Sequence, residues 1–193
     1  DESAFSGCKN MELAVDKLPN YLKGIGSSAF YGCEKISKVA FPSSVVRIGS
    51  NVFSECSGLT EAVFTKDIQI EEIPNYMFSG CENLKKISIP SSVKSIGDGA
   101  FSGCTALENF KIPATVTSIG GRAFGDGVKE VTFLGDYIDI SSGFSMDQSD
   151  QSVKISYYAC NDTWNSAQAQ EFFGNTQYKI TPNPVHMTEG EVT

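Results

Sequence analysis

The stretch CENLKKISIPSSVKSIGDGAFSG, residues 81–103, recurs with small changes along most of the chain. Its closing motif, Ala-Phe-x-Gly-Cys or a variant of it, ends at successive cysteines that are 23 or 25 residues apart. A phenylalanine stands three residues before each of these cysteines, and Phe124 continues the spacing without a cysteine. Self-similarity at a fixed period of roughly 20 to 50 residues is typical of a solenoid, in which each repeat forms one coil. The repeated cysteines are Cys8, Cys33, Cys56, Cys81 and Cys104.

The spacing inside one unit predicts how a coil is built. Apolar residues recur three, six and eight positions after the cysteine, as in Leu84, Ile87 and Ile89, and the intervening positions are mostly polar. Positions six and eight are two apart, so their side chains share one face of a strand and the polar residues face outward. Proline then interrupts the strand, and the Ser-Ser-Val-x-x-Ile-Gly run predicts a turn and a short second strand. Stacked coils would share one continuous core.

The repeat consensus, Leu-x-x-Ile-x-Ile-Pro-x-Ser-Val-x-x-Ile-Gly-x-x-Ala-Phe-x-Gly-Cys, resembles the BspA-like leucine-rich-repeat family of bacterial cell-surface and secreted proteins. The resemblance implies a right-handed solenoid of the α/β superhelix class that is strand-rich with little helix. It also implies a parallel sheet on one side, short second strands and turns on the other, and adhesion to host or neighbouring-cell components. The third unit departs from the consensus at residues 65–72, where it is two residues longer. We expect this to alter the surface there and leave the core intact.

The domain organisation follows from the part of the chain in which the repeat spacing is regular. Residues 1–134 are predicted to form the solenoid, at about 23–25 residues per coil, with a truncated first coil. We expect that coil to be frayed, covered by a partner or preceded by more protein, and to allow end-to-end self-association. Residues 135–181 are predicted to be a degenerate coil and C-terminal cap, and residues 182–193 a tail or linker. Within the cap, residues 153–157 should be the last sheet strand, followed by a helix near 162–173 that is capped by Asn161 and carries Trp164 and Phe172 on one face.

Composition excludes several classes of partner. The chain has 193 residues and a net charge of −8, without a cluster of Lys or Arg. This argues against nucleic acid and anionic membrane as partners, because both need a concentrated basic face. There is no run of 18 or more apolar residues, so we predict no membrane span. The chain shows no secretory leader, and one removed beforehand is compatible with an extracellular or cell-surface location.

The five repeated cysteines are predicted to form a structural ladder of buried, reduced thiols. Disulfides are the alternative, although equivalent side chains in a ladder point the same way rather than toward one another. A linear row does not offer zinc a tetrahedral set of ligands. Cys160 lies outside the ladder and should be the most accessible thiol, or a core residue of the cap.

Catalytic chemistry finds little support. The only histidine, His186, lies in the predicted tail, far from any candidate nucleophile. We therefore expect no enzyme activity, no cofactor and no metal. The alternative for the acidic residues is a Ca²⁺ site, but their spacing matches no known loop motif and indicates a solvated surface instead. Those residues are Asp136, Asp139, Asp147 and Asp150.

The remaining candidate site is the outward face of the repeat sheet, at the fifth and seventh positions after each cysteine. These positions form two columns, which we interpret as a binding face for a protein or glycan ligand such as a host matrix or cell-surface component. Two alternatives stay open: a passive structural spacer, or a substrate-positioning module of a larger surface protein. The first column is Lys38, Glu61, Lys86, Asn109 and Glu130; the second is Ala40, Val63, Ser88, Lys111 and Thr132.

Overall fold

A computed structural model describes residues 1–10, 18–139, 143, 152–158, 161–174 and 179–185. Within these residues the chain forms a β-solenoid of about five turns with little helix, which confirms the predicted fold class. The strands are β1 (Gly24–Ile25), β2 (Lys38–Phe41), β3 (Arg47–Ile48), β4 (Glu61–Phe64), β5 (Glu72–Ile73), β6 (Lys86–Ile87), β7 (Ser95–Ile96), β8 (Asn109–Ile112), β9 (Ser118–Ile119), β10 (Glu130–Phe133), β11 (Ser152–Tyr158) and β12 (Lys179–Val185).

The strands form two sets, one on each side of the coils. The long-strand side consists of the ladders β2-β4-β6 and β8-β10-β11-β12, and the short-strand side of β1-β3 and β5-β7-β9. Every pairing is parallel, and residues at equivalent positions of successive coils are register partners. The predicted parallel sheet and the short second strands are therefore both present.

The core is a stack of like residues from successive coils. The phenylalanine rings stack one on another, with centroids 5.1–6.0 Å apart and planes within 14° of parallel. This stacking is interrupted where Phe110, in the sixth position after its cysteine, inserts edge-on between Phe101 and Phe124. Each coil thus buries its apolar face only by contact with its neighbours. The stacked rings belong to Phe5, Phe30, Phe53, Phe78 and Phe101.

The ladder of the short-strand side is interrupted at the irregular third unit, between β3 and β5. In other coils the glycine of the Ile-Gly pair donates its N–H to the isoleucine carbonyl of the preceding coil, at 2.8–2.9 Å. Pro74 replaces this glycine and has no N–H for the Ile48 carbonyl. Ile68 and Ile70 of the inserted run are nonetheless buried. The insertion therefore changes the surface and leaves the core continuous.

The C-terminal cap corrects two predictions. Residues 153–157 are not the last strand, because β12 pairs with β11 along its whole length. Residues 182–185, predicted to begin a tail or linker, accordingly belong to the sheet. The proline signal that suggested a tail is compatible with a strand at the edge of a sheet, where one row of N–H groups has no partner.

The predicted helix near 162–173 is divided in two. A 3-10 helix spans Asp162–Asn165, and α1 spans Ala167–Gly174 after Ser166 adopts an extended backbone. The predicted cap is present, since the Asn161 side chain accepts a hydrogen bond from the Thr163 N–H at 3.1 Å. Trp164 is fully buried on the 3-10 helix, stacked 4.7 Å from Tyr157. It therefore does not share an α-helical face with Phe172, whose side chain lies outside the described residues.

Candidate recognition face

The structure places all ten predicted face residues on the long-strand side. Their neighbours at the sixth and eighth positions after each cysteine point into the core, and alternation turns the ten outward. In the first column Lys38, Glu61 and Lys86 are register partners, and Asn109 pairs with Glu130. In the second column Ala40 pairs with Val63 and Lys111 with Thr132, and Ser88 lies one residue beyond β6. The ten residues therefore form two blocks, divided between β6 and β8.

The charges of the first column alternate and interact across the coils. The Lys38 ammonium lies 3.0 Å from a Glu61 carboxylate oxygen. This hydrogen bond, the charge of Lys38 and the more distant Lys86 hold the pKa of Glu61 below its usual value. Opposite charges on directly neighbouring strands stabilise a sheet modestly. Part of the column is thus engaged in holding coils together.

The face extends one strand beyond the residues predicted from the sequence. Lys154 and Ser156 on β11 are the register partners of Glu130 and Thr132. The Lys154 ammonium lies 3.6 Å from the Glu130 carboxylate, and the Ser156 hydroxyl donates to the same carboxylate. The alternation of residues 153–157 already placed Lys154 and Ser156 on one face. Their alignment with the columns was hidden by the irregular residues that precede them.

The ladder of the long-strand side lacks a hydrogen bond to the preceding coil at Pro90 and at Pro113. After β4 and β10, Thr65 and Leu134 donate their N–H groups to the preceding coil, at 3.1 and 3.0 Å. Pro90 and Pro113 occupy the same position in two other coils and cannot donate. Consistently, β4 pairs with β6 over only two residues, and no pairing joins β6 to β8 among the described residues.

A shallow groove of about 600 Å³ lies on the face beside this interruption. Three lysines line it, and its single carboxylate, Glu61, is already bonded to Lys38. Two of its apolar side chains are substantially exposed, Val63 at 45% and Leu134 at 39%. We call this feature the lysine groove and define it by Val63, Lys85, Lys86, Ser88, Lys111 and Leu134.

The cysteine ladder is part of the core. Its members carry no disulfide; Cys8 is half-buried and the other four are buried. The thiols of Cys33, Cys56, Cys81 and Cys104 each donate to a phenylalanine carbonyl of the preceding coil, at 3.0–3.2 Å. Burial raises the pKa of Cys56 and of Cys104 to about 12, which disfavours the reactive thiolate. Cys160 lies outside the described residues.

Among the residues that the structure describes, no group of three or more His, Cys, Asp or Glu side chains could hold a metal ion. Asp136 and Asp139 belong to these residues, whereas Asp147, Asp150 and His186 do not. The helices in the same residues include none that is long and apolar enough to cross a membrane.

Solved structures share this fold. A leucine-rich repeat protein from Bacteroides ovatus has 26% sequence identity and a TM-score of 0.55; the match covers 86% of this chain and 41% of that one. The T. pallidum leucine-rich repeat protein TpLRR has 25% identity and a TM-score of 0.60, over 88% of this chain and 83% of that one. The pneumococcal vaccine antigen PcpA has 19% identity and a TM-score of 0.63, over 86% of this chain and 40% of that one, and supports the fold alone.

The chain spans about two fifths of the length of the Bacteroides and pneumococcal proteins. No curated protein sequence matches it. The model of the BspA type leucine-rich repeat region matches residues 1–70 and 71–163, with six copies of the repeat. This match covers well over half of the chain and agrees with the coil-by-coil register of the structure. The chain belongs to the BspA-type leucine-rich repeat family.

Proposed function

We propose that the chain is a non-enzymatic recognition or adhesion module of a bacterial cell-surface or secreted protein, binding a protein or glycan through the long-strand side. The observation that carries this proposal is the alignment of the ten face residues in two outward columns above a buried apolar core. Such a face offers regularly spaced side chains on a rigid support, which is how solenoids form extended binding surfaces.

A passive spacer is the second candidate, and a specific observation favours it. Lys38 with Glu61 and Lys154 with Glu130 form ion pairs between coils, so these side chains already have partners within the chain. Exposed pairs of this kind keep a surface soluble and add little stability. A spacer, or a module that positions substrate within a larger surface protein, needs no ligand on this face.

Binding of the purified chain to immobilised matrix glycoproteins, host-cell surfaces and a glycan array separates the two candidates. The variant Lys38→Glu, Lys86→Glu, Lys111→Glu reverses the three exposed cations of the columns. We expect the unaltered chain to bind and the variant to lose binding while circular dichroism shows an intact fold. Absence of binding by both folded proteins would favour the spacer.

A further inference from the structure

We propose that the lysine groove binds an extended acidic peptide segment of a partner protein. This inference rests on the proposed recognition function and names the ligand class for one part of the face. It draws on three properties of the groove: its local charge, its unpaired backbone carbonyls and the kind of apolar side chain that it exposes.

The charge of the groove is opposite to that of the whole molecule. The chain carries 23 acidic and 15 basic residues, yet the groove brings together Lys85, Lys86 and Lys111 beside the single carboxylate of Glu61. That carboxylate is bonded to Lys38. Among the described residues, none forms an ion pair with Lys85, Lys86 or Lys111. The three ammonium groups are therefore available to carboxylates of a partner.

The groove also offers backbone acceptors. Pro90 and Pro113 supply no N–H to the carbonyls of Phe64 and Ile89, which would be their partners in a regular ladder. No described residue donates to either oxygen, and both residues line the groove. A peptide N–H group that reaches either oxygen would supply the missing hydrogen bond.

The apolar lining favours a peptide over a sugar. Val63 and Leu134 are aliphatic and exposed, and they suit the apolar side chains of a peptide. The aromatic ring of the groove, that of Phe64, is stacked on Phe41 with centroids 4.5 Å apart. One face of this ring is therefore taken up within the chain and is unavailable to a sugar ring.

The test measures binding of a short fluorescein-labelled peptide of repeating Glu-Glu-Val-Val by fluorescence anisotropy. Three further probes isolate the three properties. They are a Lys-Lys-Val-Val peptide, the acidic peptide with alternate amides N-methylated, and an anionic hyaluronate oligosaccharide. We expect the acidic peptide alone to bind well, with affinity that falls as salt rises. N-methylation should weaken it about tenfold, because the carbonyls then lack donors.

The variant Lys86→Glu, Lys111→Glu should weaken binding of the acidic peptide about tenfold or more. Its matched control is Lys23→Glu, Arg47→Glu, which changes net charge equally on exposed residues of the short-strand side. We expect the control to bind as the unaltered chain does. Val63→Ser tests the apolar contact without changing the charge of the groove, and should also weaken binding.

The outcomes distinguish this inference from the broader function. Binding of hyaluronate in place of the peptide, lost in the groove variant, would overturn the peptide assignment and leave the recognition face standing. Equal loss in the Lys23, Arg47 control would show unspecific attraction and overturn the assignment to this groove. Binding of matrix glycoproteins that depends on Lys38 but not on Lys86 or Lys111 would likewise overturn it while supporting the face. Failure of every probe and every glycoprotein would overturn both proposals.

Discussion

The thiol of each buried cysteine is held in its neutral form by the core. Burial raises the pKa of Cys56 and Cys104 from 9.0 to about 12 in the folded chain. Between about pH 9 and pH 12 unfolding therefore releases protons. The free energy of unfolding keeps its full value below pH 9 and declines as pH rises toward 12. Each thiol should contribute a slope of about 1.4 kcal/mol per pH unit within this window. Urea unfolding at a series of pH values measures this slope.

The control for this pH dependence is Cys56→Ser, which removes one of the titrating thiols. Its slope above pH 9 should be shallower than that of the unaltered chain by one proton. An equal slope in both proteins would contradict the assignment.

In the folded chain, mass spectrometry after treatment with a thiol reagent should find Cys8 modified before the four buried ladder cysteines, because Cys8 alone among the five is partly exposed.

Glu55 has a backbone conformation that suits glycine. Its φ is 60°, and the glycines at the equivalent position of other coils, such as Gly32, have φ of 67–72°. A side chain in this left-handed region costs about 1 kcal/mol. Glu55→Gly should therefore raise the free energy of unfolding by about that amount, as measured by urea denaturation.

Gly32→Ala is the matched test of this strain. The added methyl group would have room, since the nearest atom, the Gly7 Cα, lies 3.9 Å away. A loss of stability of about 1 kcal/mol would thus arise from the backbone alone. A Gly32→Ala variant as stable as the unaltered chain, or a Glu55→Gly variant with a lower free energy of unfolding, would show that the coil tolerates this conformation without cost.

At the scale of the strands, the gap between β6 and β8 lies beside a backbone N–H that proline removes. Pro113→Thr restores a donor for the Ile89 carbonyl, as Thr65 supplies one for Phe41 at 3.1 Å. We expect the new amide to be protected from hydrogen exchange to the extent of Thr65 and Leu134. The gain in stability should stay under about 1 kcal/mol, because loss of the rigid proline offsets the new hydrogen bond.

Hydrogen exchange followed by NMR measures this protection within one sample. The amide of Ala114, one residue farther along, serves as the internal reference, because no backbone hydrogen bond is described for it. An amide at position 113 that exchanges as fast as that of Ala114 would mean that the gap between β6 and β8 is set by packing rather than by the missing donor. The edge-on ring of Phe110 would then be the cause to test next.

The coils could be predicted from the sequence because the same residues recur at the same positions. Leu84 and Ile89 identify the core face of every unit once one unit is understood. The lysine groove could not be predicted, because hydrophobic-Pro is itself a mark of the repeat. The effect of this proline depends on which carbonyl of the preceding coil loses its donor. Proline also explains why β12 was not predicted, because Pro182 and Pro184 indicated a tail rather than a strand.

At the scale of the molecule, no described strand pairs with the outer edge of β12, the last described strand. β12 pairs with β11 through residues 179–185. The N–H groups along a strand point alternately to its two sides, and Pro182 and Pro184, which are two residues apart, lack an N–H. The donors to β11 must therefore come from the residues that alternate with these prolines. The two prolines therefore lie in the row that faces away from β11 and remove donors from the outer edge. Proline at an edge discourages pairing with another chain.

Replacing both residues, Pro182→Val and Pro184→Val, should open this edge to association. The variant would present a row of N–H and C=O groups on a strand of high β-propensity, a template on which a second chain can pair. Analytical ultracentrifugation over a range of concentrations should show the variant forming dimers or larger species where the unaltered chain forms fewer. Asn183→Val is the control, since it adds an apolar side chain without restoring an outward donor. Association of this control to the same extent would attribute the effect to hydrophobicity, and a monomeric double variant would show that the edge is protected by something other than its prolines.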